Sequence, residues 1–139
     1  MVIPIIIFNF AHEFNTHHCV TNKLGVRIPI TDYTKMDENV LDKIKDTLSK
    51  NMPKDGKAIL FGSRARGDNR ADSDWDILIL LNSQDEDDRF LASYSLVMLG
   101  WQLNQDINPI LYTKDEWQKN SFTPFYHNVT DEGVVLYGT

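Results

Sequence analysis

Apolar and polar residues follow two spacings along the chain, and each spacing predicts a type of element. The stretch MDENVLDKIKDTLSK, which begins at Met36, repeats apolar residues at helical spacing, and Asp37 is a suitable N-cap. The runs KAILF (57–61) and WDILILL (75–81) predict two buried strands. Because the second run is apolar on both faces after its start, we expect it to lie in the centre of a sheet.

The second half of the chain continues the alternation of helices and strands. The sequence SQDE (83–86) matches a capping box and predicts the start of a long helix that ends near Leu103. INPILY (107–112) predicts a third strand, KDEWQ a short helical turn and GVVLYG a last strand. This order predicts an α/β (α+β) fold, in which helices pack on a small mixed β-sheet.

The first 35 residues lack this regularity. They contain a strand-like apolar run (3–10), followed by residues with no clear period. We therefore expect residues 1–35 to be an N-terminal extension and residues 36–139 to form the compact domain. The apolar run is far too short to span a bilayer and lacks the positive flank of a signal peptide, and the chain has a single cysteine. These features favour a cytoplasmic protein without a membrane partner.

The net charge of the chain indicates which kinds of molecule it can bind. The formal net charge is −6 and the pI is about 5.0. Direct nucleic-acid binding needs a basic face, so we expect none. A local basic site for a phosphate remains compatible with this composition.

Two aspartates, Asp74 and Asp76, stand two residues apart at the start of the second predicted strand. Side chains two apart in a strand point to the same face, so the carboxylates lie close together and repel. A hard cation such as Mg²⁺ removes that repulsion, and Mg²⁺ is commonly held by one or two carboxylates together with substrate phosphates. Taken alone, this spacing also describes an acidic strand edge in solvent.

A glycine and a serine, Gly62 and Ser63, directly follow the first predicted strand. Glycine permits close approach to the backbone, free N–H groups at a turn bind anions, and Arg64 and Arg66 add positive charge that suits phosphate. Taken alone, the dipeptide also describes a tight turn. A phosphate cradle ten residues ahead of paired carboxylates predicts phosphoryl or nucleotidyl transfer, which needs both phosphate and metal binding.

The segment GSRARGDNRADSDWD matches the pattern G-S, ten residues, D-x-D of the DNA polymerase β-like nucleotidyltransferase superfamily. With its short length, the chain most resembles the minimal nucleotidyltransferases over residues 36–137. These are often encoded beside a HEPN-domain protein, as the antitoxin of a toxin–antitoxin pair. The resemblance implies a polymerase β-like nucleotidyltransferase fold for residues 36–139.

The resemblance also implies a role for each matching residue. The nucleotide triphosphate would be bound by Gly62 and Ser63, and Arg64 or Arg66 would offset the charge of its phosphates. Two Mg²⁺ ions would be held by Asp74, Asp76 and a third carboxylate from the next strand, which would also help to deprotonate the attacking hydroxyl. We expect Asp106 to be that third catalytic and metal-binding residue. Asn108 lies two residues on, on the same strand face, and an asparagine in that position would weaken catalysis but leave nucleotide binding intact.

The activity implied by the resemblance is Mg²⁺-dependent transfer of AMP from ATP to a hydroxyl group, a tyrosine of a HEPN toxin. Two alternatives remain open. One is a non-catalytic antitoxin that binds its toxin through contact alone and keeps a vestigial nucleotide site. The other is transfer to a small molecule of the aminoglycoside type, which requires an acceptor pocket from a further domain or a partner subunit. The broadly apolar helix 90–103 serves the core, or it forms a surface for a partner or for homo-oligomerisation.

Overall fold

The computed structural model describes residues 19–21, 24–25, 27–82 and 85–138. The apolar run predicted as a strand near the N-terminus lies outside these ranges. Two short strands, β1 (Cys19–Thr21) and β2 (Arg27–Pro29), pair antiparallel and lead into a long helix, α1 (Ile30–Asn51).

Four strands form the main sheet: β3 (Lys57–Phe61), β4 (Trp75–Leu81), β5 (Ile107–Thr113) and β6 (Val134–Tyr137). Their order across the sheet is β5-β4-β3-β6. Strand β3 runs antiparallel to β4 and to β6, whereas β4 and β5 are parallel. The sheet is therefore mixed and β4 lies inside it, which confirms both predictions.

Helices cover both faces of this sheet, because side chains of the inner strands alternate between the two faces. Helix α1 and helix α3 (Glu86–Leu103) pack on one face, where the core includes Ile44, Leu48, Leu60, Ile77, Ile79 and Leu96. Helices α4 (Lys114–Lys119) and α5 (Pro124–Glu132) cover the other face, where the core includes Ile59, Leu78, Leu80, Trp117 and Val129. The α/β class is thereby confirmed. Within the described ranges, no helix is long and apolar enough to cross a membrane.

Two predicted helix starts are wrong. Helix α1 begins at Ile30, so Asp37 lies well inside the helix and is not its N-cap. Helix α3 begins at Glu86 with Asp85 as its N-cap, and the Asp85 side chain accepts a hydrogen bond from the Asp87 backbone N–H. The expected cap Ser83 lies outside the described residues. Helix α1 is continuous across residues 35 and 36. The predicted boundary there, between an N-terminal extension and the compact domain, stays a prediction.

Helix α5 is an element that the sequence analysis missed. Its start carries a recognisable pair of residues, because the Thr123 hydroxyl accepts a hydrogen bond from the Tyr126 N–H and Pro124 occupies the first turn. The helix ends at Gly133, directly before β6. It therefore closes the chain back onto the sheet beside β3.

Candidate active site

The register of three strands brings the predicted acidic residues to one edge of the sheet. Phe61 at the end of β3 pairs with Asp76 of β4, and Asp76 pairs with Asn108 of β5. Register partners on neighbouring strands share a face, so Asn108 lies beside Asp76. The Asn108 Nδ2 donates a hydrogen bond to Asp74 Oδ2 at 3.2 Å. An amide thus lies between the two carboxylates.

The backbone at Gly62 passes directly against the Asp76 carboxylate. Gly62 has φ +77°, a conformation that side chains other than glycine rarely adopt. A Cβ added at this position would lie 2.7 Å from Asp76 Oδ2. The four-residue helix α2 (Ser63–Arg66) follows at once and ends at Gly67, which is also left-handed. Ser63 and the start of α2 therefore directly follow the residue whose backbone contacts the Asp76 carboxylate.

Burial raises the pKa of the Asp76 carboxyl above its ordinary value. A hydrogen bond from Asn108 lowers this pKa, and the like charge of Asp74 raises it further. The net elevation means that the carboxylate form is less favoured here than in free solution, and a nearby positive charge would stabilise it. A divalent cation at this edge would supply that charge.

The donor set suits Mg²⁺ only in part. Asp74 and Asp76 provide two hard oxygen ligands, and the amide oxygen of Asn108 provides a third, neutral one. Among the described residues, no group of three histidine, cysteine, aspartate or glutamate side chains is placed to hold a metal ion. The site therefore suits a cation that is also neutralised by a bound phosphate. It is less suited to a pair of ions held by protein carboxylates alone.

Asp106, the predicted third carboxylate, lies one residue before β5. Its backbone carbonyl accepts a hydrogen bond from the Trp75 N–H at 2.8 Å, and the residue is exposed. Asp106 and Asn108 both line a groove of about 300 Å³ beside the carboxylate pair. The hydrogen bond to Asp74 and the pairing with Asp76 belong to Asn108, while the role of Asp106 as third ligand stays a prediction.

The guanidinium of Arg64 is buried inside the site loop, with 2% of the side chain exposed. Its nitrogens donate to the carbonyl oxygens of Ser73 and Ala71 and to Asp37 Oδ2, the last at 3.0 Å. Its Cζ lies 4.2 Å from the centre of the Trp75 ring. Arg64 therefore ties the loop that precedes Asp74 to helix α1. Its predicted contact with phosphate stays a prediction.

Arg66 is placed differently, although it is only two residues away. Its side chain is 44% exposed and forms ion pairs with Asp68 at 3.3 Å and Glu132 at 3.5 Å. Surface pairs of this kind are weak and exchange readily. Arg66 is thus the arginine of the two that can turn toward a phosphate without breaking a buried network.

Two residues that position the site were not recognised in the sequence. The Asp37 carboxylate accepts a hydrogen bond from the guanidinium of Arg64, which is 27 residues away in the chain. Gln105 Oε1 accepts a hydrogen bond from Trp75 Nε1 at 3.1 Å. Both contacts join elements far apart in the chain. No local pattern distinguishes these residues from ordinary polar surface residues, so the sequence carried no indication of either role.

Replacing Arg64 by alanine is expected to lower the free energy of unfolding by about 3 kcal/mol, because it leaves Asp37 and two loop carbonyls without their buried partner. Arg66→Ala is the matched control on the same short helix, and we expect no measurable change in stability from it. Urea denaturation followed by circular dichroism measures both. Equal stability of the two variants would contradict the structural role of Arg64.

Metal-free Asp76→Asn protein is expected to unfold about 1–3 °C above the wild type at neutral pH, because a partly buried charge is removed. The pKa of Asp76 is higher in the folded state than in the unfolded state. The folded carboxyl therefore gains its proton first as pH falls, and the difference between the proteins should shrink through that range.

Magnesium chloride should raise the unfolding temperature of the wild type but not that of Asp76→Asn. Exposed Asp72→Asn, from the same loop, is the control and should behave as the wild type in both scans. Differential scanning calorimetry across pH, with and without Mg²⁺, measures these effects. A wild type that is indifferent to Mg²⁺ would count against a cation site at this edge.

Comparison with known proteins identifies the family of this chain. Residues 42–139 match the family model described as polymerase beta, nucleotidyltransferase. A protein of Methanocaldococcus jannaschii named "Putative protein adenylyltransferase" is 37% identical over 86 residues, which cover 58% of this chain and 77% of that relative.

Two solved structures are also similar. A toxin–antitoxin crystallised with AMP-PNP aligns with a TM-score of 0.53 and 28% identity, covering 71% of this chain and 73% of that chain. A mutant of the toxin–antitoxin MntA-HpeT aligns with a TM-score of 0.50 and 25% identity over the same shares. The family match spans most of the chain and includes the glycine–serine turn and both aspartates. The chain therefore belongs to the polymerase β family of nucleotidyltransferases.

Proposed function

We propose that this nucleotidyltransferase moves AMP from Mg²⁺-bound ATP to a tyrosine hydroxyl of a HEPN-domain toxin, and so acts as the antitoxin of the pair. The observation that carries the proposal is the contact between the Gly62 backbone and the Asp76 carboxylate. The relative named as a protein adenylyltransferase and the toxin–antitoxin crystallised with AMP-PNP support it.

Each side of the site has a task in this reaction. The acceptor oxygen forms a bond to the α-phosphorus of ATP, the bond from that phosphorus to the pyrophosphate oxygen breaks, and the hydroxyl proton leaves to a base or to water. Asp74 and Asp76 would hold Mg²⁺, which neutralises the triphosphate when bound. The Gly62 turn lets the phosphates approach the backbone, and Ser63 adds a hydroxyl donor. Arg66 would pair with the phosphates from solvent.

The asparagine beside the carboxylates limits the rate that we expect. An amide cannot accept the proton of the attacking hydroxyl, so Asn108 cannot act as a general base. The wild type is therefore expected to transfer AMP slowly. The same observation favours a second candidate function, a contact-only antitoxin that binds nucleotide without transferring it.

Intact-protein mass spectrometry separates these candidates. The purified protein is mixed with ATP, Mg²⁺ and the product of the adjacent gene, and we expect a mass gain of one or more adenylates on that partner. The double variant Asp74→Asn/Asp76→Asn is the control and should give no gain. A stable complex without any mass gain would favour the contact-only antitoxin.

Replacing Asn108 by aspartate is expected to raise the rate of AMP transfer roughly tenfold or more, because a carboxylate can take up the proton. The comparison variant is Asp106→Asn, which removes the other candidate for the third carboxylate. The same mass assay, sampled over time, gives both rates. Loss of transfer in Asp106→Asn, with no gain in Asn108→Asp, would assign the third carboxylate to Asp106 instead.

Alanine at Gly62 is expected to weaken Mg²⁺-ATP binding about tenfold or more, because its Cβ would displace the Asp76 carboxylate. Gly25→Ala is a close control, since Gly25 has φ +78° and, within the part of the chain that the structure describes, no atom within 4 Å of an added Cβ. Both variants should lose about 1 kcal/mol of stability through the positive φ. Isothermal titration calorimetry with a non-hydrolysable ATP analogue measures the affinity, and equal affinities would contradict the close contact.

A further inference from the structure

A line of exposed apolar side chains follows one face of helix α3. Phe90, Tyr94 and Trp101 are 62%, 48% and 75% exposed, and the partly buried Val97 lies between the last two. Their spacing of four, three and four residues places them on one helix face. The rings of Phe90 and Tyr94 stack at 5.0 Å between centroids. We call these four residues the aromatic stripe.

The stripe ends beside the active site. Val97 and Trp101, together with Pro109, form apolar walls of the groove of about 300 Å³ whose polar end contains Asp106 and Asn108. Because the Asn108 amide reaches Asp74 at 3.2 Å, the groove adjoins the carboxylate pair. An apolar path thus leads along α3, on one face of the sheet, to the start of β5, where Asn108 shares the other face with Asp76.

The groove and the phosphate turn lie on opposite sides of the carboxylates. In the strand order β5-β4-β3, Asn108 belongs to β5, Asp76 to β4 and the Gly62 turn follows β3. In nucleotidyl transfer the attacking and leaving oxygens lie roughly in line through the phosphorus. With a triphosphate bound at the turn, the groove on the β5 side therefore remains available for the acceptor.

We propose that the aromatic stripe and the groove together form the docking surface for the protein that carries the acceptor hydroxyl. This inference rests on the proposed function. The groove is at the small end of ligand-site volumes and suits one aromatic side chain, such as a tyrosine. From Val97 to Phe90 the stripe extends about 10 Å beyond the groove, which a small acceptor would not need.

The charges around the stripe define the partner further. Exposed Glu86 and Asp87 lie in the first turn of α3, at one end of the stripe, and Asp106 lies at the other end. A complementary partner has an apolar face flanked by lysine or arginine, with its acceptor tyrosine at the end that meets the groove. Aromatic anchors of this kind commonly carry most of the binding energy in protein interfaces.

The test uses the full chain, the purified product of the adjacent gene and two separate readouts. Analytical ultracentrifugation gives the affinity of the complex, and intact-mass kinetics give the AMP transfer rate. Tyr94→Ala and Trp101→Ala are expected to weaken the complex roughly tenfold or more and to raise KM for the partner, with Mg²⁺-ATP affinity unchanged. Phe122→Ala is the matched control, because Phe122 is 80% exposed on the connection between α4 and α5.

The two readouts separate this inference from the proposed function. A complex that weakens in the stripe variants, with no AMP transfer by the wild type, supports the docking surface and overturns the transfer. If the wild type and the stripe variants have equal AMP transfer rates and equal affinities for the partner, the proposed function stands and the docking surface is overturned. Three further results also overturn it: no complex with the wild type, weaker Mg²⁺-ATP binding in Trp101→Ala, or a wild-type dimer that Trp101→Ala dissociates.

Discussion

The close approach of the Gly62 backbone to the Asp76 carboxylate is the contact on which the rest of the site depends. The antiparallel register of β3 and β4 ends one strand where the other begins, so the turn after β3 must pass the carboxylate at the start of β4. A methyl group at Gly62 would lie 2.7 Å from Asp76 Oδ2, so any residue with a side chain would have to displace that carboxylate. The contact brings the main-chain donors of the turn and the carboxylates of β4 to one place before any ligand binds.

The strands hold their ends rigidly, but the segment between them belongs to no strand and requires another support. Buried Arg64 provides this support, since its donors reach two loop carbonyls and Asp37 of α1 while its guanidinium stacks on Trp75. A charged group can be buried in this way because every contact is a hydrogen bond or a ring face. The two arginines of α2 therefore have different roles: Arg64 holds the loop, and Arg66 remains exposed to solvent.

The strands and the paired aspartates could be predicted because each depends on residues close together in the chain, and the mixed sheet because it follows from the order of helices and strands. The start of α1 could not, since a good N-cap residue such as Asp37 looks the same locally whether a helix begins there or continues through it. The roles of Asp37 and Gln105 depend on partners 27 and 30 residues away. The neighbour of Asp76 on β5 depends on the register of two parallel strands joined by a whole helix, and that register places Asn108 there.

The amide beside the two aspartates changes the balance between the empty and the loaded site. A third carboxylate would add repulsion to a group whose pKa burial already raises, whereas Asn108 donates a hydrogen bond and lowers that pKa. The asparagine therefore stabilises the two charged carboxylates in the absence of a metal. Unlike a carboxylate, it cannot accept the proton of the acceptor hydroxyl. Tight binding of nucleotide and partner compensates for a slow chemical step only if the complex lasts long enough for transfer. An extended apolar contact would favour a long-lived complex, and the proposed docking surface on α3 would provide one.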